Sequence, residues 1–556
     1  MTWLCLLLAS LLADDISGGM NNGKGKGFPS TIEVPTRSDA TWYGSPYEFM
    51  HLKKGKWYST PDMKPPALST WYGADRWSSS GKNRHSLPGR RPGDVLFLGS
   101  GEYEHFRVTR SFDLHLKAIK KNPTRWVTDD RTYTYLWEDK TLRLGLNNRD
   151  HAKGFWAEDG SHYWAWGHDK QTWMIGDVDS TGYPTTVVSG GRTYLEWAGA
   201  ISFANIVFKG PTGSGGTEGI LQTENPYVHD SKGNKRRQAY NWPEPGSVYG
   251  EWQGFRDLEF VNTYVDGEWD FINNRGQKSK WGCMTYRVGR SSRGSNIAGF
   301  RWHGGGISGI KGEHCFYFHN VHAMQPTHMA VHLKDLTLGP SERTAVQFVA
   351  RESEGPNGSG RIILENITVR NVCLEQSGGG YAFTFAGNHN GRVVLRNIDC
   401  WLGDGTISTD NVTGGFVSHA GGGSGGRPTK AIVIEDSTFR VGPLTGRGSA
   451  RRANLQVGDV KFFTLRNTTV IQADGAREAV SFDYGIKNAT LGNNDVRGDV
   501  RLGPNQIWRD ADSDGDGWDD GCAWKDFILE CKEDIDTNND GVLAAHSGVI
   551  ENIIIE

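Results

Sequence analysis

The sequence predicts an all-β protein built as a parallel solenoid, and three observations carry that reading. Segments of one design recur in the C-terminal half: VHLKDLTL from Val331, IILENITV from Ile362, VVLRNIDC from Val393, IVIEDSTF from Ile432, FTLRNTTV from Phe463 and ATLGNNDV from Ala489. Their shared Asn/Asp column, Asp335, Asn366, Asn397, Asp436, Asn467 and Asn493, advances by 31, 31, 39, 31 and 26 residues. Glycine is 74 of 556 residues with no three-residue period, which demands many turns and excludes a collagen-type chain.

Within each unit, alternation puts Ile362, Leu364 and Asn366 on one face, and after the Asn the phase changes so that Ile367 and Val369 become the apolar pair. A strand, a corner at a buried amide and a second strand, repeated roughly every 30 residues, therefore describe one coil of a parallel β-solenoid, stacked on the next at about 4.8 Å. Looser units place Asn205, Asn262 and Asn320 in the same column. The residue before the column reads Lys334, Glu365, Arg396, Glu435 and Arg466, an alternation of charge that stacked outer positions explain and a helical repeat does not. The units are also short, β-branched and glycine-bounded, against a helical solenoid.

Composition narrows function. The balance of 61 basic and 64 acidic residues lacks the electrostatic footprint of a nucleic-acid binder. Twenty-one tryptophans in a chain of mean hydropathy −0.54 point to rings serving as flat contact area, as carbohydrate binding uses them. The apolar run from Leu4 to Leu12 has signal-peptide length, so residues 1–13 are expected to be a cleaved secretory signal, and no segment is long enough to span a membrane. Six cysteines remain after it; Cys522 and Cys531 are the expected disulfide, with Cys283, Cys315, Cys373 and Cys400 left open between bridges and buried thiols. No CxxC and no helical zinc spacing occurs.

The stretch PGDVLFLGSGEYEHFRVTRSFDLHLKAI from Pro92 to Ile119, with its Pro-Gly-Asp, apolar strand, Gly-x-Tyr turn and second strand, resembles the opening coil of right-handed parallel β-helix proteins of the pectate-lyase-like superfamily. With the later units, the resemblance spans residues 92–505. It implies a right-handed parallel β-helix and leaves activity open, since that fold carries lyases, hydrolases, esterases, epimerases and adhesins. Residues 14–91 are expected to cap the first coil, and Trp126, Trp137, Trp156, Trp164, Trp166 and Trp173 mark an insertion over about 120–190.

From Asp510 the composition turns acidic. Asp512, Asp514, Asp516 and Asp520 take positions one, three, five and nine of an EF-hand-like loop, and Asp536, Asn538 and Asp540 open a second. The pair resembles dockerin and thrombospondin-type-3 calcium repeats and implies Ca2+ in a module over 510–556, with a protein partner as its further possibility. The twelfth positions, Ala523 and Ser547, depart from the acidic ligand of that pattern. A short helix is expected in AWKDFILECKE between the loops.

Titratable groups are densest between Asp270 and His332. RWHGGG and GIKGEH bring Arg301, His303, Lys311 and His314 close in sequence on glycine-rich turns, the catalytic candidates here. In β-helix lyases, as the resemblance implies, a basic group removes the C5 proton of a uronate while a cation neutralises its carboxylate. The expected function is a secreted protein that binds an acidic extracellular polysaccharide, with cleavage left open and a lyase favoured over a hydrolase reaction if it occurs. The rival readings are a non-catalytic surface adhesin and a virion tailspike.

Overall fold

The computed structural model describes residues 32–36, 42–44, 52–53, 56–57, 95–104, 107–109, the strands between 123 and 163 and, with interruptions, 172–533, 543–544 and 549–556. It is a right-handed parallel β-helix. Each coil has a leading strand, a corner, a trailing strand and a return strand. Leading and trailing strands join in one 20-stranded sheet, and return strands make a 12-stranded sheet opposite it. Arg361–Arg370, for example, bends at Asn366 and returns through Gly380–Gly387; the next coil repeats this in Arg392–Leu402 and Val412–His419. Register is one-to-one, with Ile362 against Val393 and Ile367 against Ile398.

The corner explains the Asn/Asp column. Asn205, Asn262, Asp335, Asn366, Asn397, Asp436 and Asn467 have φ of 57°, 46°, 54°, 55°, 51°, 51° and 47°. This is the left-handed region, where a short polar side chain is tolerated best after glycine. The amides do form a ladder: Asn262 Nδ2 donates to Asn205 Oδ1 at 2.9 Å, Asn366 to Asp335 at 2.8 Å, Asn397 to Asn366 at 2.8 Å and Asn467 to Asp436 at 3.1 Å. Contrary to expectation the ladder is not buried, since Asp335, Asn397, Asp436 and Asn467 are exposed. Conformation rather than buried polar pairing is what the column requires.

Two column members differ from the sequence reading. Asn320 lies outside the described residues, and the strand before it, Phe316–His319, belongs to the return sheet. The corner of that coil is Gly304, φ 77°, in register between Asn262 and Asp335. In the last unit Asn493 keeps the register without the positive φ, and Asn494 does the bonding, accepting from Thr468 N at 3.0 Å and donating to Leu465 O at 2.8 Å.

The core is one apolar cluster threading the coils, with stacked rings such as Phe318, Phe348 and Phe385 at 4.8 and 5.0 Å. Cys315, Cys373 and Cys400 are free thiols within it, and burial pushes the Cys315 thiol up to about 12. The middle leading strands are buried on both faces, outward Ile363, Val394 and Val433 forming a cluster with Met329, whereas Phe462 on Val460–Arg466 is 51% exposed. Trailing strands bury only alternate residues, so Leu336, Ile367, Ile398 and Phe439 face inward while Thr337, Thr368, Asp399 and Thr438 keep exposure.

Both ends are elaborated. Trp42–Gly44 lies parallel to Val95–Leu98 as a rung beneath the opening coil, and Ile32 and Val34 pack on the outer face of the first coils beside Trp173. The insertion is a five-stranded antiparallel sheet between Pro123 and Tyr163; the chain rejoins the helix at Thr172–Gly176, well before residue 190. Trp173 is therefore a coil residue, whereas the side chains of the other five tryptophans lie outside the described residues.

At the far end the helix Cys522–Glu533 sinks Ala523, Trp524, Phe527 and Cys531 into the core, with Phe527 stacked on Phe482 at 5.6 Å. It plugs the open coil. Cys522 and Cys531 are both free, correcting the expected disulfide. Nine residues of helix separate them by about 13 Å along the axis, beyond the roughly 4.4–6.8 Å that a bridge spans. The final strand Ile550–Ile555 then returns to the solenoid, pairing parallel with Ile486–Leu491, and Asn552 Nδ2 donates to Asn488 Oδ1 at 3.1 Å. The 510–556 segment is thus part of the β-helix end rather than a detached module.

Candidate functional site

The four catalytic candidates do not converge. Arg301 and His303 lie on the leading part of Ile297–Ser308, where Phe300 and Trp302 point into the core and Arg301 and His303 alternate outward. Lys311 and His314 follow beyond the corner and the trailing strand, in the turn toward the return sheet.

In that turn Lys311 is 5% exposed. Its Nζ pairs with Glu375 and, at 3.4 Å, with Glu342, and lies 5.3 Å from the Trp269 ring centroid and 5.8 Å from that of Phe271. Glu342 also accepts from Gly312 N at 2.7 Å. An ammonium so paired ties three successive turns together. His314 is buried with its ring 5.0 Å from Tyr317.

On the leading face, strand register builds a polar cluster across successive coils. Ser202, Glu259, Arg301 and His332 occupy one row, and His303, Lys334, Glu365 and Arg396 the row beside it. Glu259 receives Ser202 Oγ at 2.8 Å and an ion pair from Arg301, with both charged residues 3% exposed. His303 Nε2 lies 3.0 Å from His332 Nδ1, and His332 Nε2 lies 3.6 Å from Glu365. Lys334 reaches Glu365 at 3.2 Å, and Glu435 holds Arg396 and Arg466 each at 2.6 Å, so the alternation of charge predicted from sequence is realised in these pairs.

Burial holds both histidines neutral. It lowers His303 to about 2, helped by His332, Arg301 and Lys334, and it lowers His332 against the pull of Glu365. The His332–Glu365 contact is therefore a neutral imidazole 3.6 Å from a carboxylate, too long for a hydrogen bond, and that neighbour, with Lys334, keeps Glu365 below its ordinary range. His389, bonded to Gly360 O at 2.7 Å, is lowered by burial to about 4. A histidine whose folded pKa is depressed stays neutral while the unfolded chain takes a proton, so its contribution is intact above about pH 6.5 and is lost as pH falls below it. His303 and His389 should each cost about 1 kcal/mol between pH 6.5 and 5.5, and His332 adds to the loss in the same direction. Urea midpoints across that interval check this, and a flat profile would contradict it.

The trailing face is the open flank. Tyr183, 46% exposed, lies over Tyr264 with centroids 4.7 Å apart, held there because Asn262 Nδ2 donates to Gly182 O at 2.9 Å. Burial against Tyr264, with the nearby Asp266 charge, raises the Tyr183 phenol. Lys209 pairs with Glu268 at 3.0 Å beside these rings. Further along, Arg440 covers the Trp401 ring at 4.9 Å, Arg370 pairs with Asp399 and Arg497 with Asp495 at 3.1 Å. The sequence reading missed this face, although its residues follow the Asn column at offsets of two and four.

Of the calcium residues, Asp512, Asp514 and Asp516 bring carboxylate oxygens within 4.8 Å of one another, a hard-oxygen donor set that fits Ca2+. Asp520 instead accepts from Ser513 N at 3.0 Å and from its hydroxyl. Ala523, at the twelfth position, is buried in the core. Asp510 anchors the loop by accepting from the backbone N–H of Gly498, Ala511, Gly521 and Cys522. Asp536, Asn538 and Asp540 lie outside the described residues, as do residues 1–13. Among the described residues no helix is long and apolar enough to cross a membrane.

No family model matches the chain, and no curated protein matches it. Among solved structures it is similar to the A-module of the mannuronan C-5 epimerase AlgE4 from Azotobacter vinelandii, at 10% identity and a TM-score of 0.24, over 74% of this chain and 88% of that one. At that identity and score the likeness says nothing of chemistry.

Proposed function

We propose that the chain is a secreted protein that engages an acidic extracellular polysaccharide along its trailing face and cleaves it by β-elimination. The observation that carries this is the contrast between flanks: as far as Val433 the leading strands bury their outward row, while the trailing face lays the Tyr183–Tyr264 and Trp401 rings among Lys209, Arg370, Arg440 and Arg497. Rings offer sugar faces a flat apolar surface, and guanidinium groups bind carboxylates in two-point fashion. The threonine hydroxyls of Thr337, Thr368, Thr438 and Thr469, in one register row that Asp399 interrupts, suit a polymer of repeating hydroxyls.

Elimination fits better than hydrolysis. A hydrolase needs two carboxyl groups about 5 to 9.5 Å apart across one bond. The outward acids described on the trailing strands, Glu102, Asp266, Asp399 and Asp495, each stand three or four rungs from the next by register, about 14 to 19 Å at the coil spacing. The closed Arg370–Asp399 and Arg497–Asp495 pairs favour a second reading, a docking face without chemistry.

Incubation with uronate-containing and neutral polysaccharides separates these. Elimination leaves a 4,5-unsaturated uronide that absorbs in the near ultraviolet, hydrolysis leaves reducing ends alone, and docking leaves the bound polymer intact. Absence of both binding and product would end the reading.

We also propose that the Asp512–Asp516 turn holds Ca2+, which would neutralise three carboxylates at the end of the β-helix. Calorimetry should record uptake in the millimolar range or tighter, weakened by Asp516→Ala. No heat of binding at millimolar calcium would refute it.

A further inference from the structure

We propose that Tyr183 and Tyr264 form a subsite for an uncharged sugar unit, and that the polymer held on the trailing face therefore mixes neutral units with its uronates. This rests on the polysaccharide reading above and names the composition of its substrate.

The subsite starts from a corner longer than the fold needs. Asn205 alone turns the leading strand of its coil into the trailing strand. In the coil before it, residues 177–185 stand between Thr172–Gly176 and Thr186–Ser189. They close into a hairpin through the Val178–Pro184 bridge, with Asp179 N donating to Tyr183 O at 2.8 Å and Gly182 N to Asp179 O at 3.1 Å. The Asp179 carboxylate accepts from Thr181 N at 2.8 Å and from Tyr183 N at 3.0 Å, and at the base Asp177 accepts from Ser100 N at 3.1 Å. The tip reaches two coils along, where Asn262 Nδ2 donates to Gly182 O at 2.9 Å as well as to Asn205.

A loop fixed at so many points holds the Tyr183 ring in one place, on Tyr264 and still 46% exposed. Because the ring is already ordered, a ligand stacked on it binds without the entropy cost of immobilising it. The C–H face of a pyranose is an apolar surface that such a ring fits, and its rim of hydroxyls must find hydrogen-bond partners.

Charge decides which sugar that is. Tyr183 faces Asp266 and Asp179. Lys209 stands in register with Asp266, pairs with Glu268 at 3.0 Å and has Glu102 nearby. Glu102, Asp179, Asp266 and Glu268 thus outnumber Lys209 around the rings. Carboxylates only accept hydrogen bonds, so they suit the hydroxyls of a neutral unit, whereas a uronate placed there meets its own charge.

At Trp401 the balance reverses. Arg370 and Arg440 flank that ring in register, one paired with Asp399 and the other 4.9 Å over the ring, and guanidinium groups match a carboxylate. Tyr264 and Asp399 share one register row four rungs apart, about 19 Å at the coil spacing. A single chain laid along that row meets a neutral subsite at one end and a uronate subsite at the other.

The test uses the full chain and the polysaccharides of the screen above, sorted into neutral (galactomannan), uronate-only (polygalacturonate, alginate) and mixed (glucuronoxylan, hyaluronan) probes, with Kd read by calorimetry. A mixed probe should bind tightest. Tyr183→Ala should weaken that probe about tenfold, with uronate-only binding and melting unchanged, and Tyr183→Phe should bind like the wild type because it keeps the ring. Asp266→Asn with Glu268→Gln should tighten uronate-only binding about tenfold by removing the repulsion. The subsite is overturned, and the polysaccharide reading left standing, if Tyr183→Ala stays within twofold of wild type on the bound polymers, if Tyr183→Phe is as weak as Tyr183→Ala, or if the wild type binds a uronate-only probe as tightly as every mixed one. A wild-type chain that binds no polymer removes that reading and the subsite together.

Discussion

Arg301→Met should destabilise the protein by about 3–5 kcal/mol, because it strands the Glu259 carboxylate in a place where water cannot replace the lost partner. Glu259 is 3% exposed, and among the described residues its only other hydrogen-bond partner is the Ser202 hydroxyl at 2.8 Å. Burying an ion pair is costly to begin with, so the loss measures an orphaned charge rather than the worth of the pair. Glu259→Leu with Arg301→Met should accordingly recover most of the deficit, an apolar pair of similar volume being near neutral. Urea unfolding of the two variants decides it. A single variant within about 1 kcal/mol of wild type would show that solvent reaches Glu259.

Lys311→Met should cost about 3 kcal/mol, since it removes the cation between Glu342 and Glu375 and leaves two partly buried carboxylates facing each other. It also removes the ammonium from above the Trp269 ring. Adding Glu375→Gln should restore part of the loss by ending the repulsion. At a temperature where the variant is folded, turnover should persist, because a lysine 5% exposed and paired with two glutamates is not free to take a proton. Loss of turnover with full stability would return Lys311 to the catalytic set.

The legibility of the fold in the sequence has a local cause. A corner in the left-handed region admits few residues, and an alternating strand must change phase there, so IILENITV and VVLRNIDC carry their conformation in their own spacing. The same rule shows where reading fails. Gly304 serves as a corner without an amide, so spacing alone matches the column to Asn320, which follows the Phe316–His319 strand of the return sheet in sequence. VIENIIIE at the C-terminus has the unit's design, yet the chain leaves the solenoid to build the plugging helix before Ile550–Ile555 returns. No local spacing records that return.

The chemistry divides along the same line. By itself the sequence determined the solenoid, its corner column, the alternating charges beside it and the acidic turn at Asp512, because each depends on conformational preferences or charges repeated at short, regular steps. Only the tertiary structure decided which titratable groups meet. Arg301, His303, Lys311 and His314 lie within fourteen residues, and a bent strand carries the last two to another side of the coil. His303, His332 and Glu365 come from three successive coils and meet because register stacks them at the strand spacing, a distance set by hydrogen bonds between coils rather than by anything within one of them.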